Sequence, residues 1–546
     1  MKTVRSMVLV SSDADSMSHG AQDVFDGLQK EIQSYKLEDE ISLRMVNDMG
    51  RHDAVPMVIV YPEAVIYGPV TPGDVHYLVE EHLYKGRVAE SLRAPTRELT
   101  GRIAWLSARK GTLPAEQRIV LERVGLIDPT SIEDYIVHDG YQALGRVISE
   151  MSPAQVIAEL EKSGLKGRGG AGFPTGLKWK FVAREKATPK YVVCNADESE
   201  PGTFKDRLIL EGDPHSIIEA LIIAGYTVGA SEAYIYVRGE YKLAQQRLDL
   251  AILQAREMGF LGQSIFGTPF NFDIHIHSGA GAYICGEETA LIESIEGKRG
   301  EPRSRPPYPT SNGLWDRPTL VNNVETLANV PAILRHGEDW FHQFGTPNSP
   351  GTKAYTILGN VNATGLIEVP MGITLREVIS IYGKGMKHNG TLKLAQTGGS
   401  SGSIIPAVLQ DTPMDYESFG RAGVALGSGA LLICNEETCV VDLACVLLNF
   451  FRNESCGKCT PCRVGNLRAL EILNNIAEGV GSMHDLDVLA SLSENLYQLS
   501  NCGLGQTAGS PLRDILRYFR AEVEAHILLK VCPAGVCPMS GKRYPG

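Results

Sequence analysis

Hydrophobic and polar positions along the first 95 residues fall into short runs that predict alternating strands and helices. The pattern predicts strands at 6–11, 41–46, 57–61 and 65–68, and helices at 21–35 and 72–83. The helix at 21–35 is amphipathic, so it has one face to bury against a sheet. We therefore predict a small α/β domain at residues 1–95.

The pattern changes several times along the rest of the chain. An Arg- and Glu-rich stretch at 96–145 predicts a linker with short helices. An α/β core follows, with strands predicted at 192–195, 233–238 and 272–277 and helices at 216–227 and 242–258. Residues 351–415 have a β-rich pattern, with a strand at 353–361 and a helix at 375–379, and the chain is predicted to be helical from about 430 onward. The sequence therefore predicts an α/β and α+β multidomain fold.

Composition narrows the class of protein. The chain has 546 residues, of which 43% are hydrophobic and 21% charged, as in soluble globular proteins. A formal net charge of −12 argues against a nucleic-acid partner. The best candidate span, at 422–434, is broken by glycines and too short for a bilayer, so we expect no membrane insertion. Eleven cysteines without a secretion signal favour a cytoplasmic location and metal ligation.

Cys456, Cys459 and Cys462 have C-x₂-C-x₂-C spacing, which places three thiolates on one tight turn. This spacing is typical of three ligands of a [4Fe–4S] cluster, and Cys502, in a glycine-flanked loop, offers the fourth. A zinc knuckle would more often show two separated C-x₂-C pairs, and a disulfide framework would need an oxidising compartment. We therefore predict a [4Fe–4S] cluster.

Glycines are concentrated at residues 164–176, which include Gly167, Gly169 and Gly170. Backbone without side chains can approach a flat ring, and its N–H groups can bind an anion. The loop follows a helical stretch instead of a strand, so it does not match the standard dinucleotide fingerprint. A flexible hinge is the alternative, but the interleaved Arg168 and Lys178 favour a cofactor bed.

Five motifs occur in order along the chain: the glycine loop and the segments 191–202, 281–290, 321–326 and 454–465. This series resembles the flavin-containing, NADH-binding subunit of respiratory complex I and its relatives. The relatives include diaphorase subunits of NAD-linked hydrogenases, of NAD-linked formate dehydrogenases and of electron-bifurcating complexes. The resemblance covers about residues 120–525, and it is nearest to the diaphorase (beta) subunit of bifurcating hydrogenases and of NADH-dependent NADP:ferredoxin oxidoreductases.

The resemblance implies an FMN pocket and an NADH side. The implied FMN contacts are Gly167, Arg168, Gly169, Gly170, Lys178, Asn195, Asp197, Glu198, Tyr283, Gly286, Glu287, Asn322 and Asn323. On the NADH side it implies the carboxylates Glu200 and Glu288 and the aromatic platforms Phe173 and Phe181. A carboxylate there favours NADH over NADPH. No catalytic acid or base is implied, because the flavin accepts the hydride.

The resemblance also implies a domain order. It places a Rossmann-like FMN- and NADH-binding domain at 146–340, a β-grasp (ubiquitin-like) insert at 341–415 and a helical [4Fe–4S] domain at 416–525. The domain at 1–95 resembles the thioredoxin-like [2Fe–2S] domain, whose family uses four cysteines, but it contains none. Its two cluster loops instead contain Ser12, Asp13, Asp15 and Ser16, and residues 49–52. We interpret it as a docking fold without a cluster.

The function expected from the resemblance is that of a diaphorase subunit of a soluble multi-subunit oxidoreductase. NAD(H) and FMN exchange a hydride, and single electrons pass to the [4Fe–4S] cluster. The expected partners are a small [2Fe–2S] thioredoxin-like subunit, a larger iron–sulfur catalytic subunit and, if the flavin bifurcates electrons, ferredoxin. A complex I subunit is the near alternative, and a zinc-stabilised, non-catalytic assembly scaffold is the alternative of another class.

The C-terminal tail, at 526–546, carries a second set of metal-ligand residues. Cys532 and Cys537 form a tight loop near His526, which is one ligand short of a closed tetrahedral zinc site. Similar diaphorase subunits carry a cysteine at the position of Cys439, so we choose it as the fourth ligand, with Cys445 in reserve. The alternative is two reduced, unligated cysteines on a frayed tail.

Overall fold

The computed structural model describes residues 5–46, 54–61, 65–94 and 117–540. Three predicted segments therefore fall partly or wholly outside the described residues: the linker predicted at 96–145, which is described only from 117, the second loop of the N-terminal domain at 49–52, and the last six residues of the tail predicted at 526–546. The described parts form several sheets and a helical C-terminal region, so the predicted mixed α/β, multidomain class is confirmed.

The N-terminal domain is a four-stranded sheet in the order β2-β1-β3-β4. The central strand β1 pairs in parallel with β2 and antiparallel with β3. Val24, Leu28 and Ile32 recur every four residues along helix α2 and pack with Val8 and Val10 of β1, which is why this segment forms a helix on the sheet. The elements are β1 Ser6–Ser11, α1 Ala14–Ser18, α2 Ala21–Ser34, β2 Ile41–Val46, β3 Val58–Tyr61, β4 Val65–Tyr67 and α3 Val75–Leu78, which continues as the π-helix Val79–Tyr84.

Side-chain hydrogen bonds fix the conformation of the loop that follows β1. Ser16 Oγ donates to Asp13 Oδ2 at 2.6 Å, and Ser12 Oγ donates to the carbonyl of Val46 at 2.9 Å. Arg247, which belongs to the next domain, donates to both the carbonyl and the hydroxyl of Ser12 at 3.0 Å. The loop is therefore a contact between two domains.

The central domain contains a four-stranded parallel sheet in the order β7-β6-β5-β8. The chain runs outward from β5 to β7 and then returns to the opposite side of β5 as β8. In open parallel sheets such a reversal leaves a crevice at the carboxyl ends of the two strands, where ligands bind. The strands are β5 Tyr191–Ala196, β6 Glu232–Val237, β7 Asp273–Ser278 and β8 Thr319–Asn323.

Helices cover both faces of this sheet. Helix α9 is buried along its whole length except at Tyr226, because most of its residues are apolar. The helices are α4 Ile132–Val137, α5 Gln142–Glu150, α6 Pro153–Lys162, α7 Thr175–Arg184, α8 Lys205–Gly212, α9 Pro214–Val228, α10 Lys242–Glu257, α11 Glu288–Ile295, α12 Pro309–Asn312, α13 Val324–His336 and α14 Glu338–Phe341. The strands and helices predicted for this region are found within two residues of their expected ends.

A second sheet has five strands in the order β12-β11-β15-β13-β14. Its middle strand, β15 Ala430–Asn435, lies in the region predicted to be helical, and that prediction is wrong for these six residues. A short apolar run is compatible with a buried strand or a helix, and here it is buried between β11 and β13. The other elements are β9 Gly345–Thr346, β10 Ser349–Pro350, β11 Thr352–Gly359, β12 Gly365–Pro370, α15 Leu375–Glu377, β13 Leu392–Thr397, β14 Ile404–Pro406 and α16 Tyr416–Ala422.

Helices dominate after β15. They share a core that includes Leu473, Ile476, Leu486 and Leu512. Among the described residues, none of the helices is both long and apolar enough to pass through a lipid bilayer. The helices are α17 Val440–Glu454, α18 Thr460–Ala477, α19 Met483–Leu499, α20 Gly503–Ala508, α21 Ser510–Tyr518 and α22 Arg520–Glu524, which continues as the π-helix Ala525–Leu529.

Candidate functional site

The glycine loop lies at the crevice between β5 and β8. Gly169 approaches Asn323 so closely that a Cβ on it would lie 2.9 Å from the Asn323 Cβ. Gly170 has φ +128°, a backbone conformation that side chains disfavour. Glycine is therefore required at both positions for the loop to lie against the ends of the strands.

Arg168 anchors this loop from beneath. Its side chain is fully buried, and its guanidinium donates to the carbonyls of Thr352 at 3.0 Å and Pro350 at 2.9 Å. Its backbone N–H donates to Thr326 Oγ1 at 2.8 Å. Arg168 lines neither of the cavities described below, so the structure gives it a supporting position instead of the predicted contact with the flavin.

A cavity of about 550 Å³ opens on one side of the loop. Phe173 and Phe181 stand at its mouth, both about 40% exposed, with ring centroids 6.5 Å apart. Lys178 Nζ points into the crevice, where it lies 3.4 Å from Glu288 and 3.1 Å from the Val321 carbonyl. The predicted residues that line this cavity are Gly167, Gly169, Phe173, Lys178, Phe181, Asn195, Gly286, Glu288, Asn322 and Asn323.

A second cavity, of about 360 Å³, adjoins the first through the walls that they share. The shared predicted residues are Gly169, Asn195, Gly286 and Asn323, so the two cavities lie next to each other. The other predicted residues that line the second cavity are Gly170, Asp197, Glu198, Glu200, Tyr283 and Glu287. All the predicted flavin and NADH residues except Arg168 therefore line one of two adjoining cavities.

Asp197 is the feature of the second cavity that most clearly fits a polar ligand. Both of its carboxylate oxygens and the hydroxyl of Ser199 are buried, and no described residue outside this pair offers them a hydrogen bond. Burial raises the pKa of Asp197 from 3.8 to about 7, although Arg238 offsets part of this effect. Buried polar atoms are normally satisfied, so these atoms fit the polar groups of a flavin ring or its ribityl chain.

A buried ionic network supports the same wall. Lys205 Nζ lies 2.7 Å from Asp206 and 3.0 Å from Glu325, and all three side chains are buried. Asp206 also accepts from Asn323 Nδ2 at 2.7 Å. Glu198 accepts from the backbone N–H groups of Asp206 and Arg207 at 2.8 and 2.9 Å, and burial raises its pKa to about 7.

Sequence reasoning missed several residues that line these cavities. Tyr308 and Arg305 stand on the first cavity, and Lys205 and Ser401 on the second. Tyr308 follows two prolines that mark a rigid turn, a signal that could have pointed to it. Ser401 comes from the second sheet, so only the tertiary fold brings it to the site.

The four cysteines predicted to hold the cluster line one further cavity. The N-terminus of α20 directs the backbone N–H groups of Leu504 and Gly505 toward Cys502, and Asn466 Nδ2 lies 3.5 Å from the Cys462 sulfur. Donors of this kind stabilise thiolate and cluster charge. The geometry suits a cluster bound by Cys456, Cys459, Cys462 and Cys502.

This cysteine cavity adjoins the second flavin-side cavity. Ile284 and Leu504 line both of them. Their apolar side chains form a thin wall between the two sites. A wall of this kind excludes water and keeps two redox groups close together, as electron transfer between them requires.

Cys439, His526, Cys532 and Cys537 form a separate group, with ligand atoms all within 4.8 Å of one another. All four residues are buried, and Cys439 Sγ lies 3.3 Å from His526 Nε2 and 3.5 Å from Cys537 Sγ. His526 Nδ1 donates to the carbonyl of Glu522 at 2.8 Å, which turns Nε2 toward the cysteines. Cys445, the reserve ligand, is not part of the group.

Comparison with known proteins agrees with this geometry. Residues 160–332 match the family model of the Nuo51 FMN-binding domain, and residues 442–526 match the NADH-ubiquinone oxidoreductase-F iron–sulfur binding region. The chain is 51% identical over 420 residues to the NADP-reducing hydrogenase subunit HndC of Solidesulfovibrio fructosivorans, covering 77% of this chain and 85% of that protein. It is 46% identical to an F subunit of the NADH-quinone oxidoreductase of Rhizobium meliloti, covering 76% and 99%. The chain belongs to the family of NADH-quinone oxidoreductase F subunits.

A solved structure shows the same relationship. An NAD⁺-reducing [NiFe]-hydrogenase in the H₂-reduced state matches with a TM-score of 0.64 and 30% identity, covering 96% of this chain and 84% of that one. As a member of this family, the chain is an NADH dehydrogenase-type oxidoreductase with an FMN-binding domain, an NADH site and a [4Fe–4S] region.

The Asp197→Asn substitution is expected to stabilise the flavin-free protein more at pH 7 than at pH 5.5. Because folding raises the pKa of Asp197 from 3.8 to about 7, the folded wild type loses stability as pH rises through this window. The difference in the free energy of unfolding between the variant and the wild type should therefore grow by about 2 kcal/mol in favour of the variant between pH 5.5 and 7. Thermal unfolding across this range measures it, and Asp249→Asn, at an exposed position on α10, is the control. A stability difference that does not change with pH would contradict the raised pKa of Asp197.

Proposed function

We propose that the chain is the diaphorase subunit of a hydrogenase-type, multi-subunit oxidoreductase. Bound FMN supplies the chemistry, because it exchanges a hydride with NAD(H) and gives up single electrons. The observation that carries the proposal is the thin wall of Ile284 and Leu504, which separates the flavin-side cavity from the four cysteines. The chain's own residues hold the flavin, keep water out of this wall and present the cluster to partner subunits.

We assign the NADH side to the first cavity and its border with the second. Phe173 and Phe181 offer exposed aromatic surfaces at the mouth, on which an adenine ring can stack. Lys178 Nζ, 3.4 Å from Glu288, lies where it can meet a phosphate. Glu200 and Glu288 place carboxylates on the two cavities, where they can bind ribose hydroxyls and disfavour NADPH.

The hydrogenase branch is preferred to a respiratory complex I subunit because of the sequence identities. The chain is 51% identical to the NADP-reducing hydrogenase subunit HndC over 77% of its length. Its identity to the F subunits of NADH-quinone oxidoreductases, over similar lengths, lies between 42 and 47%. We propose a small [2Fe–2S] subunit and a larger iron–sulfur catalytic subunit as the partners.

Purification of the tagged chain with its native partners tests this proposal. We expect hydrogenase-type and [2Fe–2S] subunits to co-purify, an absorbance spectrum of flavin and iron–sulfur groups, and bleaching of both by NADH without oxygen. Membrane subunits of a quinone reductase would favour the complex I alternative instead. A colourless protein would favour the non-catalytic scaffold, and reduction of ferredoxin coupled to NAD(H) turnover would identify electron bifurcation.

We also propose that Cys439, His526, Cys532 and Cys537 bind one zinc ion. Three thiolates and one imidazole are a common tetrahedral zinc set, and the four ligand atoms lie close enough to share one ion. The site would tie the C-terminal tail to the start of α17, because Cys439 directly precedes that helix. Its role is structural, since zinc has no redox chemistry.

Metal analysis of the wild type is expected to find four irons and about one zinc per chain. Four irons also leave no iron for a cluster in the cysteine-free N-terminal domain. Cys532→Ser should lose the zinc and keep the irons and NADH–dye activity, because its ligand set lies apart from the flavin site. Cys445→Ser, the same change outside the ligand set, should keep both metals. Release of iron instead of zinc by Cys532→Ser would show an iron site and contradict the proposal.

A further inference from the structure

Glu200 is bound from two separate parts of the molecule. Its Oε2 accepts from the Tyr283 hydroxyl at 2.6 Å, within the central domain. The Ser401 hydroxyl also donates to Glu200 Oε2, at 2.8 Å, and the Ser401 backbone N–H donates to Glu200 Oε1 at 3.2 Å. Ser401 lies in the turn between β13 and β14, so the second sheet supplies two of these three hydrogen bonds to the carboxylate.

The turn that carries Ser401 is built to approach Glu200 closely. A Cβ on Gly399 would lie 2.1 Å from the Glu200 Cγ, and Gly399 has φ +70°. A Cβ on Gly398 would lie 2.5 Å from the Cα of Gly427, on the other side of the turn. Any larger side chain at either glycine would displace the turn, so the position of Ser401 is fixed from both sides.

The two donors of Ser401 act on the orientation of the carboxylate. Tyr283 alone would leave Glu200 free to rotate about its last bond, because it contacts one oxygen. The Ser401 hydroxyl and N–H hold one oxygen each, and so they fix the plane of the carboxylate at the wall of the second cavity. A hydrogen bond to a charged group of this kind contributes more than a neutral one.

We propose that Ser401 is a positioning residue for NADH binding: it orients the Glu200 carboxylate that meets the dinucleotide. The inference rests on the proposed function, because it needs NADH on this wall. It gives the second sheet a part in substrate recognition, in addition to its packing role. Ser401 itself needs no contact with NADH, since it acts through Glu200.

Steady-state NADH–dye reduction by the FMN-replete full-length protein tests the proposal with three variants. Ser401→Ala is expected to raise KM for NADH about tenfold, the effect of one hydrogen bond to a charged group, and to leave kcat within about twofold. Ser401→Thr keeps the hydroxyl and should restore KM. Ser400→Ala removes the neighbouring buried hydroxyl, which makes no contact with Glu200, and should match the wild type.

FMN content and the thermal unfolding midpoint are measured on the same samples. An unchanged FMN content and unfolding midpoint, together with a raised KM for NADH, would support the role of Ser401 in orienting Glu200. A wild-type KM in Ser401→Ala would overturn it, and so would a joint loss of FMN, stability and kcat, which would show that Ser401 only ties the two sheets together. Failure of the wild type itself to oxidise NADH would refute the proposed function instead, so the two failures are distinct.

Discussion

Replacing Cys459 by Ser should leave NADH oxidation by an artificial dye close to the wild-type rate and reduce electron transfer to partner subunits to near zero. Cys459 is one of the four cysteines that line the cluster cavity, and the other three cannot complete a [4Fe–4S] site alone. The flavin-side cavities lie beyond the wall of Ile284 and Leu504, so dye reduction needs no cluster. Parallel assays with a dye and with the reconstituted partner subunits measure the two electron-transfer rates.

The matched control is Cys445→Ser, which makes the same chemical change on α17 outside both cysteine groups. It should retain both activities and the EPR signal of the reduced cluster, which Cys459→Ser should lose. Sustained reduction of the partners by Cys459→Ser would contradict the assigned electron route.

Arg168→Ala is expected to release FMN and to lower the free energy of unfolding by roughly 3 kcal/mol, because several buried carbonyls lose a charged donor. The fully buried guanidinium joins the glycine loop to Pro350 of β10 and to Thr352, the first residue of β11. Without it the loop loses two of the hydrogen bonds that hold it against Asn323. Flavin fluorescence in the filtrate and chemical denaturation measure the two effects.

Arg168→Lys separates charge from geometry, since lysine cannot donate to carbonyls in two directions from one planar group. We expect it to retain part of the flavin. Arg184→Ala, at an exposed arginine at the end of α7, should change neither quantity. Full flavin content in Arg168→Ala would show that the glycine loop keeps its conformation without the hydrogen bonds of the guanidinium.

Local sequence predicted those parts of the site that are carried by short motifs. The glycine loop, Asn322-Asn323 and the cysteine run each define their own backbone shape, and all of them line the expected cavities except the Arg168 side chain. The direction of that side chain depends on carbonyls of the second sheet, nearly 200 positions away. No pattern near Arg168 reports where those carbonyls lie.

The same reasoning explains the other differences. The apolar run at 430–435 has no polar alternation, because its strand lies in the middle of a sheet, so periodicity could not separate strand from helix. Lys205 and Ser401 look like ordinary polar residues in the sequence, and their part in the site arises from topology. The structure brings Cys439, His526, Cys532 and Cys537 together. The local sequence pointed to the three residues near the C-terminus, whereas Cys439 came from the family resemblance.

The contacts of the loop after β1 bear on the path that electrons can take through the molecule. No cysteine occurs before Cys194, and the loop that Arg247 grips is filled by serine and aspartate contacts. A domain with no thiolate, held against the central domain by this loop, offers no ligands for a cysteine-bound cluster on that flank. In the proposed electron route, electrons therefore leave the flavin through the cysteine cavity and not through this domain.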